Sequence, residues 1–281
     1  MKITIFYSIL VAVFSVFSQP CHKDTLFANH AHEILTYFSQ HQIHLDSIAK
    51  TKKIINLNGM SFPKDFKDIS HKQRKTIFFQ YTLSALIRTN NEILAHRAKV
   101  NDLYQNKNTW LRIDSVYVDS LMSKYYAKNY SDLLLRMDVL PPSLVIAQAI
   151  DESGWGTSFF SMKANSIFGM KAPRKTKMPT IKHPKYNFVT YKFESLGQGL
   201  DEYVLNLNRN PVYKQMWILR AKQREKNQIV KGEKIVAGIS RYSSQGYRYI
   251  NIIKKHMKSY DLHIYDEVSF KEGHHITISP Y

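Results

Sequence analysis

One cysteine, Cys21, is all the chain contains, so no disulfide can form within it and its stability must rest on a packed core. Acid is scarce as well: 22 Asp and Glu stand against 40 Lys and Arg, a formal charge of +18 with a pI near 9.7. An excess of that size favours an anionic partner, or serves solubility alone. Nucleic acid would require a basic recognition helix or an aromatic stacking motif, and neither is present. Beyond the N-terminal segment no apolar run is long enough to cross a bilayer. Glycines number 10, and Gly197 and Gly199 lack the third glycine and the βαβ setting of a dinucleotide fingerprint. His32-Glu33 is not followed by a histidine at zinc-helix spacing, so His30, His32, His41 and His44 read as surface-helix residues. No metal or organic cofactor is implied, and there is no internal repeat or low-complexity tract.

What is present is a chain of 281 residues, 44% hydrophobic and 13% aromatic, enough for a proper core and one large domain with an extension. Lys2 and the apolar run Ile3 to Phe17 read as a secretory signal over residues 1–18, with Val16 and Ser18 placed for cleavage before Gln19. The run is about 15 residues long against the ~20 that a membrane anchor needs. Cys21 invites lipidation, although Ser18-Gln19-Pro20 matches the small-residue consensus poorly. The expectation is an exported bacterial protein of the periplasm or cell surface, with no stable membrane insertion after signal removal. Export and charge together favour anionic cell-wall or outer-membrane polymers over nucleic acid. The oligomeric state is not legible.

Residues 19–70 read as a polar, partly helical extension, with Pro63 breaking any helix in SFPKDFKDIS. Helical periodicity is strong from Lys72 to Val100, carried by Ile77, Tyr81, Ala85, Leu86, Ile93 and Leu94. Two more helices are expected over DSVYVDSLMSKYYA and SDLLLRMDVL, the second capped by Ser131. Pro142 suits the first turn of a helix that should end near Gly154. TIKH and NFVTYKF have strand composition around a turn and predict a small β-hairpin. Helices resume near Leu196, 211, 231 and Gln245, and the tail, 263–281, reads as extended or loosely ordered. The fold class is mainly α (α+β): a helical domain over 71–262 with a small β-hairpin lobe, resembling lysozyme-like folds in outline.

Chemistry concentrates in AQAIDESGWGTSFFSMKANSIFGMKA, residues 147–172. Glu152 ends an apolar helix, where the negative end of the macrodipole disfavours its ionisation. Desolvation by Ile150, Trp155, Phe159 and Phe160 would act in the same direction. A carboxyl kept protonated suits general acid catalysis of glycosidic cleavage. Many helices also end in an acid and a glycine with no such role. Asp151 lies about 100° round the helix and reads as structural, bonding a nearby loop. Gly154 and Gly156 allow a non-helical exit, and Trp155 either stacks on a sugar or plugs the core.

The stretch PPSLVIAQAIDESGWGTSFFSMKANSIFGMKA resembles the glucosaminidase domain of bacterial cell-wall hydrolases, a family that includes the flagellar peptidoglycan hydrolase domain and the Bax-type exported proteins. The matching motifs are Ala149 to Gly156, with Glu152-Ser153 at its centre, and Asn165-Ser166-Ile167-Phe168-Gly169. NEILAHR, FESLGQGLDEYVLNLNRNPVYKQM and YSSQGYRYINII extend the resemblance over roughly residues 75–260. It implies hydrolysis of the β-1,4 bond beside N-acetylglucosamine in peptidoglycan glycan strands, with Glu152 as general acid. Ser153, Trp155, Asn165, Phe168, Tyr191 and Tyr249 become candidate substrate-binding residues. Tyr242 becomes a candidate for the floor of the site, or else a core tyrosine. Catalytically inactive wall binding on the same fold is the alternative.

A second catalytic carboxylate is what the chain lacks. No Asp or Glu lies between Glu152 and Glu194, while Lys163, Lys171, Arg174, Lys175, Lys177, Lys182, Lys185 and Lys192 do. Some family members are thought to place an acid in that lobe. Glu194 is the remaining nearby candidate, although an acid opening a helix is ordinary dipole complementation. Without it, either the 2-acetamido group of the substrate acts as nucleophile or water is oriented by Tyr242 and backbone groups. The basic hairpin, with Tyr186, Phe188 and Tyr191, grips anionic peptide stems and sugars or is a solvated edge protected by lysines.

Overall fold

The computed structural model describes residues 22–173 and 175–281, so the expected signal, Cys21 and Arg174 lie outside the described residues. The chain order is β1 (His22–Phe27), α1 (Ala31–Gln40), α2 (Leu45–Thr51), β2 (Lys53–Gly59), α3 (His71–Gln105), α4 (Arg112–Tyr125), α5 (Tyr130–Arg136), α6 (Pro142–Ser153) and α7 (Phe159–Ala164). It continues through β3 (Thr180–Lys182), β4 (Val189–Tyr191), α8 (Leu196–Arg209), α9 (Lys214–Glu225), α10 (Gly232–Ile235), α11 (Tyr247–Ser259) and β5 (Ser269–Ser279), with short 3-10 turns between several of them. Among the described residues no helix is long and apolar enough to cross a membrane.

Helix α3 is the axis of the molecule. Ser70 and Gln73 close a capping box at its start, each side chain bonding the other residue's backbone N–H at 3.3 and 3.0 Å. From Ile77 to Ile87 every side chain is buried, so this stretch has core on all sides rather than one apolar stripe. One side meets β2 and the other meets α6 and α8. Ser84 joins helix to sheet: its Oγ accepts from Leu57 N at 2.7 Å and donates to Ile55 O at 3.1 Å.

The two chain ends meet in one three-stranded parallel sheet, ordered β1-β5-β2. The segment expected to be extended or loosely ordered is thus its central strand, and the extension holds two strands besides its short helices. His22 pairs with His274 and Lys53 with Ser269, partners more than two hundred residues away that short polar strands do not announce in sequence. The antiparallel β3–β4 hairpin falls where expected. Helix α5 is capped by Asn129, not Ser131: the Asn129 side chain accepts from Asp132 N at 2.9 Å, and Ser131 lies inside the helix.

Helix α6 is buried almost all round, with only Asp151 and Glu152 at its last turn outside the buried set. Its own N-cap, Pro141, offers no side-chain bond. Asp266, which follows the 3-10 turn Leu262–Tyr265, takes that place. Its Oδ1 accepts from Ser143 N at 2.8 Å, and its Oδ2 accepts from Ser143 Oγ at 2.8 Å and Gly232 N at 3.2 Å. We therefore expect Asp266→Ala to lower stability by about 2 kcal/mol, since a cap and its buried donors are lost together. Urea unfolding of the two proteins measures it.

Candidate active site

The exit from α6 fixes the site. Gly154, Trp155 and Gly156 all take left-handed backbone, with φ of 54°, 60° and 80°. A Cβ on Gly156 would lie 2.8 Å from the Phe62 ring, so both conformation and space require glycine there. Ser153 is fully buried and serves the turn: its Oγ donates to Ala149 O at 2.5 Å and accepts from Gly156 N at 2.7 Å. The reversal sends the Trp155 ring into an aromatic box of His71, Phe78, Phe79 and Tyr260, at centroid distances of 4.9 to 5.8 Å. Phe159 and Phe160 turn instead to His183 and Phe188 of the hairpin lobe.

Tyrosines supply what those rings do not. Tyr249, on α11, donates its phenol to Glu152 Oε1 at 2.9 Å. Tyr242 stacks on Tyr249 at 5.4 Å and 14°, and Tyr203 of α8 meets Tyr242 edge-on at 6.2 Å. Burial is the largest influence on Glu152 and raises its pKa; the Tyr249 hydrogen bond opposes it, and the adjacent Asp151 charge adds to it. The carboxylate in turn helps to push Tyr242, Tyr203 and Tyr213 further up, after burial itself. These phenols stay neutral donors at working pH. Asp151 faces elsewhere, with Oδ1 3.3 Å from His256 Nε2 on α11, so its partner is a helix rather than the expected loop.

Behind Tyr249 stands Gln148, one helical turn before Glu152 and fully buried. Tyr203 donates to Gln148 Oε1 at 2.5 Å, and Gln148 Nε2 donates to the Tyr249 oxygen at 3.0 Å. Each bond orients the next. With its oxygen occupied by the amide, the Tyr249 hydrogen points at Glu152. Gln148 is not among the candidates that the sequence offers; its signal there is a lone amide four residues before Glu152 in a mostly apolar helix. Phe168 stacks on Tyr203 at 3.5 Å and 9°, so it supports the relay from behind.

Other candidates lie apart from this cluster. Asn165 ends α7 in left-handed conformation, φ 53°, and its side chain donates to Phe193 O at 3.1 Å. Tyr191 sits on β4, paired with Thr180, its ring 6.1 Å from Phe193. Glu194 is exposed just ahead of Ser195, the cap of α8, and among the described residues its carboxylate makes no hydrogen bond or ion pair. Among the described residues no cluster of three or more His, Cys, Asp or Glu is arranged to hold a metal ion. The chemistry on hand is therefore one raised carboxyl, one oxygen of which is held by a phenol.

Residues 127–262, which carry Gln148, Glu152, Tyr203, Tyr242 and Tyr249, match the family model described as Glucosaminidase, mannosyl-glycoprotein endo-beta-N-acetylglucosaminidase. Protein bax of Escherichia coli (strain K12) is 29% identical over 204 residues, which span 69% of this chain and 72% of that protein. Exo-glucosaminidase LytG of Bacillus subtilis (strain 168) is 29% identical over 171 residues, 55% of this chain and 54% of the relative. The solved catalytic domain of the autolysin Auto from Listeria monocytogenes aligns over 61% of this chain and 87% of its own, at 22% identity and a TM-score of 0.35. The family match and the curated relatives thus support a glucosaminidase-type glycoside hydrolase domain over residues 127–262.

Proposed function

We propose that the protein is an exported peptidoglycan hydrolase that cleaves the β-1,4 bond next to N-acetylglucosamine, with Glu152 as general acid. The observation that carries this reading is the half-buried Glu152 carboxyl, raised by desolvation and held at Oε1 by Tyr249. Holding one oxygen leaves the other to deliver a proton to the leaving glycosidic oxygen. The missing second carboxylate favours a substrate-assisted course. The acetamido carbonyl oxygen attacks C1 as the C1–O bond breaks and the leaving oxygen takes the Glu152 proton. Water then attacks C1, the acetamido group is released, and the Glu152 carboxylate takes the water's proton.

Digestion of purified peptidoglycan followed by mass spectrometry tests this directly. Expected are new reducing ends on N-acetylglucosamine and a retained anomeric configuration; anhydro-sugar ends or no new ends would overturn it. The lack of any acid from 153 to 193 also supports the non-catalytic wall-binding alternative. That alternative predicts pull-down on insoluble peptidoglycan with no turnover.

The relay gives a pH prediction. As a general acid, Glu152 works while protonated, so activity falls as pH rises through its pKa. Tyr249 favours the carboxylate, so Tyr249→Phe should raise that pKa and move the alkaline limb of kcat/KM to higher pH. Gln148→Met, which releases the Tyr249 hydrogen from its orientation, should move the limb the same way. A purely structural role would lower the rate without moving the limb.

A further inference from the structure

The second built feature lies on the face formed by the two chain ends, outside the family-matched residues. A cavity of about 370 Å³ opens between the loop at 41–44, α2, the start of β2, Gln80 of α3 and Lys271 of β5. Its volume falls in the ~300–1,000 Å³ range of small-molecule sites. Ile43, Ile48, Ile54 and Ile55 make apolar walls.

Gln80, on the floor, is 1% exposed, and neither its amide nitrogen nor its amide oxygen has a hydrogen-bond partner. Each buried unpaired polar atom costs about 1–3 kcal/mol, and a methionine of similar size would avoid the cost. The amide offers a donor and an acceptor side by side, the complement of a secondary amide.

The rim is cationic. Lys271 is exposed and forms no ion pair among the described residues. Among the described residues the Lys53 ammonium bonds only the neutral Ser269 Oγ, at 2.8 Å. Lys271 owes its place to an irregularity in β5. The register with β2 jumps between Ile54↔Phe270 and Asn56↔His275, and Gly273 takes φ 88° there. The bulged residues leave the ladder beside the cavity mouth.

We propose that this cavity binds an N-acylated amino acid or short peptide with a free carboxylate. Gln80 pairs with the ligand amide, the isoleucines take an aliphatic side chain, and Lys271 with Lys53 takes the carboxylate. The assignment does not depend on Glu152.

Calorimetric titration of the full chain with N-acetyl-alanyl-alanine tests it. Saturable one-to-one binding is expected, and the C-terminally amidated peptide should bind about fivefold more weakly for loss of its carboxylate. Gln80→Met should weaken binding by about tenfold or more while raising Tm by a few degrees without peptide, since the unpaired atoms are gone. Lys271→Glu should weaken binding without that rise. No saturation, equal binding of the amidated peptide, or undiminished binding by Gln80→Met overturns the proposal. A fall in Tm for Gln80→Met overturns it too, because the amide would then be partnered inside the fold.

The same chemistry occurs free and on the wall polymer. Glu152→Gln protein, with and without Gln80→Met, pulled down on peptidoglycan before and after amidase removal of its peptides, distinguishes the sources. A Gln80-dependent loss on stripped glycan assigns wall-borne peptide, and no change assigns free peptide.

Discussion

Glu152→Gln should lower reducing-end release from peptidoglycan by about 10²- to 10⁴-fold, the range a positioned general acid contributes. The substitution keeps size and leaves an oxygen to accept from Tyr249, so neither the fold nor wall binding should change. What it removes is the transferable proton. Two controls isolate that loss. Asp151→Asn should keep most of the activity, because Asp151 faces His256 on α11 and acts on Glu152 only through its charge. Glu194→Gln should do the same if the acetamido group is the nucleophile. A fall for Glu194→Gln as deep as for Glu152→Gln would replace the substrate-assisted course with a two-carboxylate one. Rates at saturating substrate, with pull-down measured in parallel, separate chemistry from binding. Equal rates for wild type and Glu152→Gln would remove Glu152 from the mechanism.

The parts of this site legible in sequence are those that local physics determines. Helix α6 is an apolar run bounded by Pro141-Pro142 and Gly154, and both ends fall as expected because proline and glycine act on their own backbone. The elevation of Glu152 was expected from burial as well, yet its cover differs. Trp155 is adjacent in sequence, but three successive left-handed residues carry it to the far side, against α3. Tyr249, almost a hundred residues on, takes the place. Gln148 could not be read as a relay before Tyr203 and Tyr249 were both placed against it. The sheet was illegible for the same reason at larger scale: β1 and β2 are short, β5 is His-scattered and interrupted by a bulge, and they pair only across the length of the chain. Charge arrangement inside the fold escaped too, and it carries the largest stability effect.

That effect belongs to Asp138, in the link from α5 to α6. Its side chain is 3% exposed and takes a two-pronged contact from Arg224, Nη2 to Oδ1 at 2.9 Å and Nε to Oδ2 at 3.2 Å. Arg220 and Arg97 face it at 3.8 Å, and Val139 N donates to Oδ1 at 2.8 Å. Burial alone would raise the Asp138 pKa, but Arg220, Arg224 and Arg97 outweigh it and hold the carboxyl below its ordinary value. Arg220, fully buried, is pushed down by burial to about 10 and remains cationic at neutral pH. Asp138→Ala would leave three guanidiniums facing one another with no counter-charge, and we expect a loss of about 3–5 kcal/mol, measured by urea unfolding. Because the folded pKa is depressed, the contribution is complete above the unfolded-state value and is lost as pH falls through the folded one. The gap between wild type and Asp138→Asn should therefore narrow on acidification; a gap independent of pH would mean that shape, not charge, is what Asp138 supplies. Activity should follow stability here: the same arginine donates to Leu135, Arg136, Asp138 and Val139 carbonyls, fixing the chain just before it enters α6, and the last turn of that helix holds Glu152.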